Sequence, residues 1–288
     1  MTSTSAPQGE GSAKGEGGGP PPYSPRRLKR TTRKRLGRGA LYAIFVIAIL
    51  ALALSADWQS LHKNFFQLDI ARQQFPKIIT IAARNTVLFT LIAFVGGLVG
   101  GLLLAIMKLS PIRPYRWLAT VYIEFFRGLP ALLVIFAFAF VVPIAFPWRP
   151  PGGSIGAGLL GLIVVAAAYM AETIRAGIQA VPKGQWEAAR SLGMSPLWTM
   201  VSIVFPQAFR IIIPPMTNEF VLLIKDTSLL FIAGSTPMTE ELTTFARDET
   251  TQAFNGTPLL MAAMLYLIIT VPLTRVVAVL ERRSEAAK

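Results

Sequence analysis

The sequence predicts an all-α membrane protein with six transmembrane helices. Of its 288 residues, 53% are hydrophobic and 15% are charged, and the mean hydropathy is +0.52. Because an average soluble domain carries about 25% charged residues, this chain has too little charge for a soluble surface. The apolar residues also fall into six stretches, most of them near the roughly 20 residues that a helix needs to cross a bilayer.

The polar residues exclude several kinds of protein. The chain has no cysteine, which excludes a disulfide scaffold, an iron–sulfur cluster and a thiol nucleophile, and its single histidine, His62, argues against a metal site. The net charge is +13, but nine of the 28 Lys and Arg residues lie in the first 38 positions. This distribution is typical of a membrane protein with a polybasic cytoplasmic flank, and not of a nucleic-acid-binding protein.

The N-terminal part divides into a tail, a first span and a linker. Residues 1–39 are rich in Gly, Pro, Ser and basic residues and are predicted to be a disordered cytoplasmic tail. Residues 40–56 contain no charge and are predicted to be a retained transmembrane helix, with a cleaved signal peptide ending near Ser55 and Ala56 as the alternative. Residues 57–80 are then an extracytoplasmic linker.

Five further spans complete the predicted fold. Spans three to five contain internal charges or prolines and must face protein or a water-filled cavity; span three is interrupted at Gly128-Leu129-Pro130. With a cytoplasmic N-terminus, the inner segments hold twenty of the 28 Lys and Arg residues and the outer segments hold five, so both termini are predicted to be cytoplasmic. Span two carries Gly96-Gly97 and Gly100-Gly101, which predict a close packing face within the subunit. These spans occupy residues 86–107, 118–146, 155–176, 203–224 and 259–280.

Two catalytic motifs fail on their context. Residues 152–156 match G-x-S-x-G, but no strand precedes the serine and the histidine lies in another loop, so Ser154 is predicted to cap span four. The chain also lacks G-x-x-x-x-G-K-[ST] and so has no P-loop for ATP. We therefore expect no catalytic residue, metal or cofactor in this chain, and any ATP would be bound by a partner subunit.

The longest polar stretch after the tail, residues 181–202, predicts two helices joined by a glycine turn. Gly193 is placed to end a helix over residues 185–192 in a left-handed conformation, and Ser195 and Pro196 are placed to cap and open the next helix. Small residues, apolar anchors and a charge pair at i, i+3 favour either docking in a cleft of a cytoplasmic partner or an ordinary amphipathic interface helix. They are Ala188 and Ala189, Trp186 and Leu192, and Glu187 with Arg190.

This stretch resembles a family motif. Glu187-Ala188-Ala189, three residues, Gly193, nine residues and then Ile203-Val204-Phe205-Pro206 resemble the EAA motif of ABC-importer permeases, with Phe205 where leucine is usual. Phe126-Arg127-Gly128-Leu129-Pro130 is similar to the F-R-G-T-P of the polar amino-acid permeases. The chain is identified as a member of that family over about residues 80–283. Further matches lie at residues 171–178, 182–185, 206–208 and 225–229.

The resemblance implies a fold and a function. Residues 81–283 would form the five-helix core of a type I importer, with residues 40–56 as an additional helix and residues 284–288 as a short tail. Such a permease is not an enzyme. It lies in the bacterial cytoplasmic membrane with a second permease (the same chain or a paralogue), ATPase subunits and an extracytoplasmic binding protein. It carries a polar amino acid such as glutamine, glutamate, histidine or arginine. A channel or secondary transporter is the alternative, although it has no use for the glycine-jointed helix.

Two sets of residues are candidates for this function. The resemblance assigns coupling to the ATPase to Glu187, Ala188, Ala189, Gly193 and Pro206. The second set would line the substrate pathway, because a charge in mid-bilayer costs about 2.5–3.5 kcal/mol and persists only if it is paired, hydrated or used. It comprises Glu172, Asn218, Glu219, Lys225, Asp226, Thr227 and Ser228.

The remaining charges and prolines of the spans also carry predictions. Glu124 with Arg127, and Lys225 with Asp226, are predicted to neutralise each other where they are not used by substrate, and Arg210 is predicted to be a charge at the cytoplasmic edge. Three prolines are predicted to break span five and to free carbonyl groups that line a cavity. They are Pro206, Pro214 and Pro215.

Overall fold

The computed structural model describes residues 30–146 and 150–286, and these residues form helices and connecting turns without a β-strand. Their helices, numbered in chain order, are α1 (Arg30–Ser55), α2 (Trp58–Phe65), α3 (Leu68–Gln74), α4 (Ile78–Leu109), α5 (Arg113–Gly128), α6 (Ala131–Ala145), α7 (Gly153–Gln179), α8 (Lys183–Ser191), α9 (Pro196–Ala233), α10 (Leu242–Ala253) and α11 (Thr257–Ala286).

The long helices supply the predicted membrane spans. In the described part of the chain, α4, α7, α9 and α11 are each long and apolar enough to cross a membrane. Residues 41–74 and the pair α5 and α6 pass the same test only when each is taken as one bent span, which brings the total to as many as six. The prediction of an all-α membrane fold is confirmed.

Helix α1 belongs to a compact unit that ends at Asp57, separate from residues 58–288. It begins at Arg30, so the predicted disordered tail is wrong for residues 30–39, while residues 1–29 lie outside the described residues. The straight-chain Lys and Arg residues of this segment are good helix formers and extend the apolar helix that follows. The side chains of residues 41–55 that are large and apolar are mostly exposed within this unit.

The centre of the larger unit is the contact between α4 and α7. A Cβ atom at Gly97 would lie 2.8 Å from the Cβ of Ala166, and one at Gly101 would lie 3.0 Å from the backbone nitrogen of Ala171. Only glycine allows the two helices to come this close, which is the small-residue packing expected between membrane helices. The predicted packing face within the subunit is confirmed.

Helices α5 and α6 do not form one straight span. Their axes meet at 105°, and the corner is Leu129 and Pro130. Leu129 is extended (φ −98°, ψ 142°), as is usual for a residue that precedes proline. The predicted interruption of span three at Gly128-Leu129-Pro130 is confirmed.

Helix α9 crosses its two internal prolines without a break. The segment Phe205–Asp226 is a continuous helix that contains Pro214 and Pro215, and Pro206 lies near its start. A turn of π-helix, Thr199–Val204, precedes it. The predicted break is wrong, because the packed neighbours of a membrane helix hold its remaining turns in place.

The start of α7 also differs from the prediction. Gly152 is the N-cap, with φ at +80°, and no side chain accepts a hydrogen bond from the first turn. The N–H of Gly156 instead donates to the carbonyl of Gly152 at 3.4 Å. Ser154 therefore lies inside the helix, and the predicted cap is wrong because the left-handed glycine starts the helix two residues earlier.

Candidate functional site

The turn after α8 has the geometry that the sequence predicts. Gly193 has φ at +82°, and its N–H donates to the carbonyl of Arg190 at 3.0 Å, while Met194 N–H donates to the carbonyl of Ala189 at 3.1 Å. These two bonds define a Schellman ending of the helix. Ser195 Oγ then accepts from Trp198 N–H at 3.3 Å and caps the start of α9. The glycine turn, the cap and the leading Pro196 are confirmed.

Helix α8 turns one face to its own chain and one face away. Ala189 is buried, and Trp186 packs against the main hydrophobic core. Glu187 and Ala188 are exposed. The predicted Glu187–Arg190 pair is wrong, since among the described residues no ion pair within 4.0 Å involves either side chain. Ala189 thus positions the helix, whereas Glu187 and Ala188 are available to a partner.

An apolar patch surrounds the glycine turn. Leu192 is 83% exposed, Leu197 is 73% exposed and Trp198 is 64% exposed. Two of these, Leu197 and Trp198, lie on the far side of Gly193 from α8, and the sequence prediction does not include Leu197. Apolar residues on both sides of a glycine in a polar segment were the available signal. We use the name α8 surface for Leu192, Leu197 and Trp198 together with Glu187 and Ala188.

Helix α8 is fastened to α9. The Nε2 of Gln207 donates to Gln185 Oε1 at 3.3 Å and to the carbonyl of Ile203 at 2.9 Å. Pro206 is exposed beside this contact, and α8 packs along the π-helical turn of α9. A side-chain hydrogen bond and packing therefore join α8 to α9.

An ion-pair cluster joins three helices at the end of the bundle that carries α8. Lys108 Nζ of α4 lies 3.2 Å from Glu172 Oε2 of α7 and 3.8 Å from Glu124 Oε1 of α5, and Arg175 pairs with the other oxygen of Glu172. The predicted Glu124–Arg127 pair is wrong. Arg127 instead lies over the ring of Tyr169, 5.5 Å from its centroid. Both oxygens of Glu172 are engaged within the chain, which leaves its predicted contact with substrate without structural support.

The other predicted pathway residues follow α9 but do not share one environment. Asn218 and Lys225 are exposed, on a stripe that also holds Pro215 and Leu222. Thr227 is buried and donates to the carbonyl of Ile224 at 2.7 Å, so its hydroxyl is turned inward. The remaining three are half-buried: Glu219, Asp226 and Ser228.

Two exposed charges of α9 stay unpaired within the described chain. Among the described residues, Lys225 forms no ion pair with Asp226 within 4.0 Å, and Arg210 is likewise exposed without one. Lys225 and Asp226 therefore form no direct ion pair, although their charges interact electrostatically. A polar stripe on a spanning helix that its own chain leaves uncovered requires protein or water beside it, because lipid does not solvate it.

The opposite end of the bundle holds a buried polar network that the sequence analysis missed. Glu241 is fully buried and caps α10, with Thr243 N and Thr244 N each donating to its carboxyl at 2.7 Å. Tyr266 of α11 also donates to it at 3.1 Å, and Thr86 of α4 accepts from Leu242 N at 3.0 Å. The network therefore ties α10 to two spanning helices.

Two acidic residues at this end, one of them in the network, have raised pKa values. Burial raises the pKa of Glu241, and its hydrogen-bond donors offset only part of that effect. Burial and the nearby charges of Asp248 and Glu249 raise the pKa of Glu240 as well. In sequence this segment looks like an acidic surface loop. Nothing in it indicates that Glu241 pairs with hydroxyl groups that are distant in the chain.

Replacing Glu241 with alanine is expected to loosen α10. The change removes the cap and leaves the donors of Thr243, Thr244 and Tyr266 without a partner, at a cost of about 2–4 kcal/mol. Hydrogen exchange of the α10 amides should accelerate by more than tenfold, and Glu240→Ala, at the half-buried neighbour, is the control. Equal exchange rates in the two variants would contradict this role.

The comparisons with known proteins agree on one family. Residues 97–285 match the family described as binding-protein-dependent transport system inner membrane component. The probable glutamine ABC transporter permease protein GlnM of Bacillus subtilis is 38% identical over 201 residues, which is 70% of this chain and 90% of GlnM. The arginine transport system permease protein ArgU of Corynebacterium glutamicum is 33% identical over 267 residues, 88% of this chain and 82% of ArgU.

A solved structure extends this agreement to the fold. The crystal structure of an amino acid ABC transporter with histidines superposes with a TM-score of 0.67 at 33% identity, covering 75% of this chain and 97% of that one. The family match begins within α4 and includes α5 to α10, with the glycine turn and the polar stripe. The chain therefore belongs to the family of inner membrane components of binding-protein-dependent transport systems, as a permease subunit with the type I importer fold.

Proposed function

We propose that this chain is the permease subunit of an ABC importer for a polar amino acid. The relatives support this substrate class, since they are named for glutamine and arginine transport. The similar solved structure is that of an amino acid ABC transporter with histidines. We further propose that both termini face the cytoplasm, which places α8 on the cytoplasmic side and α10 outside.

The observation that carries the proposal is the exposed α8 surface on a helix fastened to α9. A cytoplasmic ATPase would contact Glu187, Ala188 and the patch around Gly193. Closure of two ATPases on ATP would draw two such helices together, and the Gln207–Gln185 contact would transmit the movement to α9. ATP is bound by the partner, and this chain supplies the lever and part of the pathway.

The pathway would run along the exposed stripe of α9. A second permease, either an identical chain or a paralogue, would face this stripe, so that Asn218 and Lys225 are in contact with water or substrate. A zwitterionic amino acid needs partners for a carboxylate and for an amine, and Lys225 and the half-buried Glu219 offer both signs. An extracytoplasmic binding protein would deliver the substrate at the α10 end.

The experiment that tests the proposal starts from partners. A tagged chain is purified from its native membrane in mild detergent after cross-linking, and its partners are identified by mass spectrometry. We expect an ATPase subunit and an extracytoplasmic binding protein, and ligand screening of the latter would name the amino acid. Recovery without an ATPase would favour the channel or secondary-transporter alternative.

Lys225→Met is expected to lower amino-acid uptake about tenfold in proteoliposomes that contain the complete transporter. The loss of a charged partner for the substrate carboxylate costs about 1.5 kcal/mol or more, while the fold of the chain is unaffected because the side chain has no ion-pair partner within 4.0 Å in the described chain. Lys77→Met, which removes an exposed charge outside the stripe, is the control. Unchanged uptake in K225M would remove Lys225 from the pathway.

A further inference from the structure

The segment between α1 and α4 forms an amphipathic corner. In α2, Trp58, Leu61 and Phe65 recur at spacings of three and four residues on one side, and Gln59 and Lys63 lie on the other. None of the eight residues of α2 is buried. Two further apolar side chains after the helix are also exposed, Phe66 at 54% and Leu68 at 72%.

Hydrogen bonds fix this corner to the first turn of a membrane-spanning helix. Gly256 N donates to the carbonyl of Asn64 at 2.7 Å, Asn255 Nδ2 donates to the carbonyl of Lys63 at 2.9 Å, and Gln67 N donates to Thr257 Oγ1 at 3.1 Å. Thr257 is the first residue of α11. Both α2 and α3 pack against α11, and any side chain at Gly256 would collide with the Phe65 ring.

This attachment determines the depth of α2 in the membrane. The first residues of a spanning helix lie at the membrane–water boundary, and α2 is held within hydrogen-bonding distance of them. The start of α11 also exposes apolar side chains, such as Leu259 at 44% exposure.

We propose that α2 and the turn that follows it lie in the membrane interface at the α10 end, with the apolar face among the lipids. The composition suits this partner: Trp and Phe residues favour the interfacial zone, and α2 contains basic His62 and Lys63 but no acidic residue, which suits anionic headgroups. An amphipathic helix of this kind inserts its apolar face about 5–10 Å into the boundary. It would anchor the α10–α11 turn to the lipid surface.

The absence of cysteine from the chain makes the depth directly measurable. Each variant of the complete chain has one cysteine, which carries a nitroxide label, and is studied in liposomes. The cysteine replaces Leu61 or Phe66, which are exposed, or Gln59 on the polar side as the control. Collision rates with oxygen, which is enriched in lipid, and with a water-soluble nickel complex then report the surroundings of each label.

The expected result is an oxygen-to-nickel collision ratio at Leu61 and Phe66 that exceeds the ratio at Gln59 by about fivefold or more. Equal ratios at the three sites would overturn the proposal by showing that the face is in water. Low collision rates with both reagents at Leu61 and Phe66 would overturn it by showing that protein covers the face. The measurement requires no substrate and no ATPase, so its outcome is independent of the proposed transport function.

Discussion

Gly193→Val is expected to uncouple ATP hydrolysis from uptake while the membrane fold stays intact. Gly193 has φ at +82°, a conformation that costs an ordinary residue about 1–2 kcal/mol and a β-branched one more. No atom lies within 4 Å of a Cβ built there, so the penalty falls on the turn itself and not on packing. The turn should rearrange, and α8 should lose its fixed angle to α9.

The measurement compares uptake with ATPase activity in the reconstituted transporter. Uptake should fall at least about tenfold, because a loss of about 1.4 kcal/mol in the free energy that favours the native turn corresponds to a factor of ten. The melting temperature of the permease should not change. Gly184→Val makes the same substitution in the same helix, at a position with ordinary φ and open space, and is the matched control. Gly193→Asn should keep uptake coupled to ATP hydrolysis, because asparagine tolerates the left-handed region.

Normal uptake by the Gly193→Val variant would contradict the proposed lever. Parallel losses of uptake and thermal stability would contradict it in a different way, by showing that the turn supports the membrane fold. The expected pattern, with activity lost and stability kept, is the one that a purely structural role of Gly193 does not produce.

The turn at Gly193 can be predicted from sequence because its determinants are local. The glycine, the Ser195 cap and the Pro196 start lie within four residues of one another, and each has one dominant backbone preference. The difference between Ala188 and Ala189 cannot be predicted in this way. The two residues are chemically identical, and only the docking of α8 on α9 buries one and exposes the other.

The network at Glu241, in contrast, cannot be predicted from the local sequence. Its partners, Thr86 and Tyr266, are distant in sequence, and nothing near Glu241 marks it as a buried cap. Acidic residues in an apolar protein most often lie on the surface, so sequence reasoning places α10 in a loop. Pairing information across the fold would be required to predict it.

Charges inside the spans fall between these two cases. The sequence reveals that Glu172 and Lys225 must be paired, hydrated or used, but not which of these applies. The structure separates them, since Lys108 and Arg175 engage Glu172 while Lys225 has no ion-pair partner within the described chain. Residue type thus predicts the need for a partner, and helix packing decides its identity.

Gly101→Val is expected to prevent the folding of the transmembrane core. A Cβ at this position would lie 2.9 Å from the Cβ of Met170, 3.0 Å from the nitrogen of Ala171 and 3.1 Å from the carbonyl oxygen of Ala167. Two of these neighbours are backbone atoms of α7, so no rotamer change relieves the contact and the helices must separate. Since overpacking of a core costs typically about 1–3 kcal/mol and occasionally more, and valine adds two further methyl groups, we expect at least about 3 kcal/mol.

The separation of α4 from α7 would spread through the rest of the chain, because α5, α6 and α9 all pack on α7. Gel filtration in detergent and a thermal melt should show aggregated protein or a much lower melting temperature for the Gly101→Val variant, with Gly184→Val unchanged. A folded Gly101→Val protein with normal stability would contradict the close approach of α4 and α7 at Gly101. Because this variant removes the fold and the Gly193 variant spares it, the pair distinguishes the glycines that hold the helices together from the glycine that sets the angle of α8.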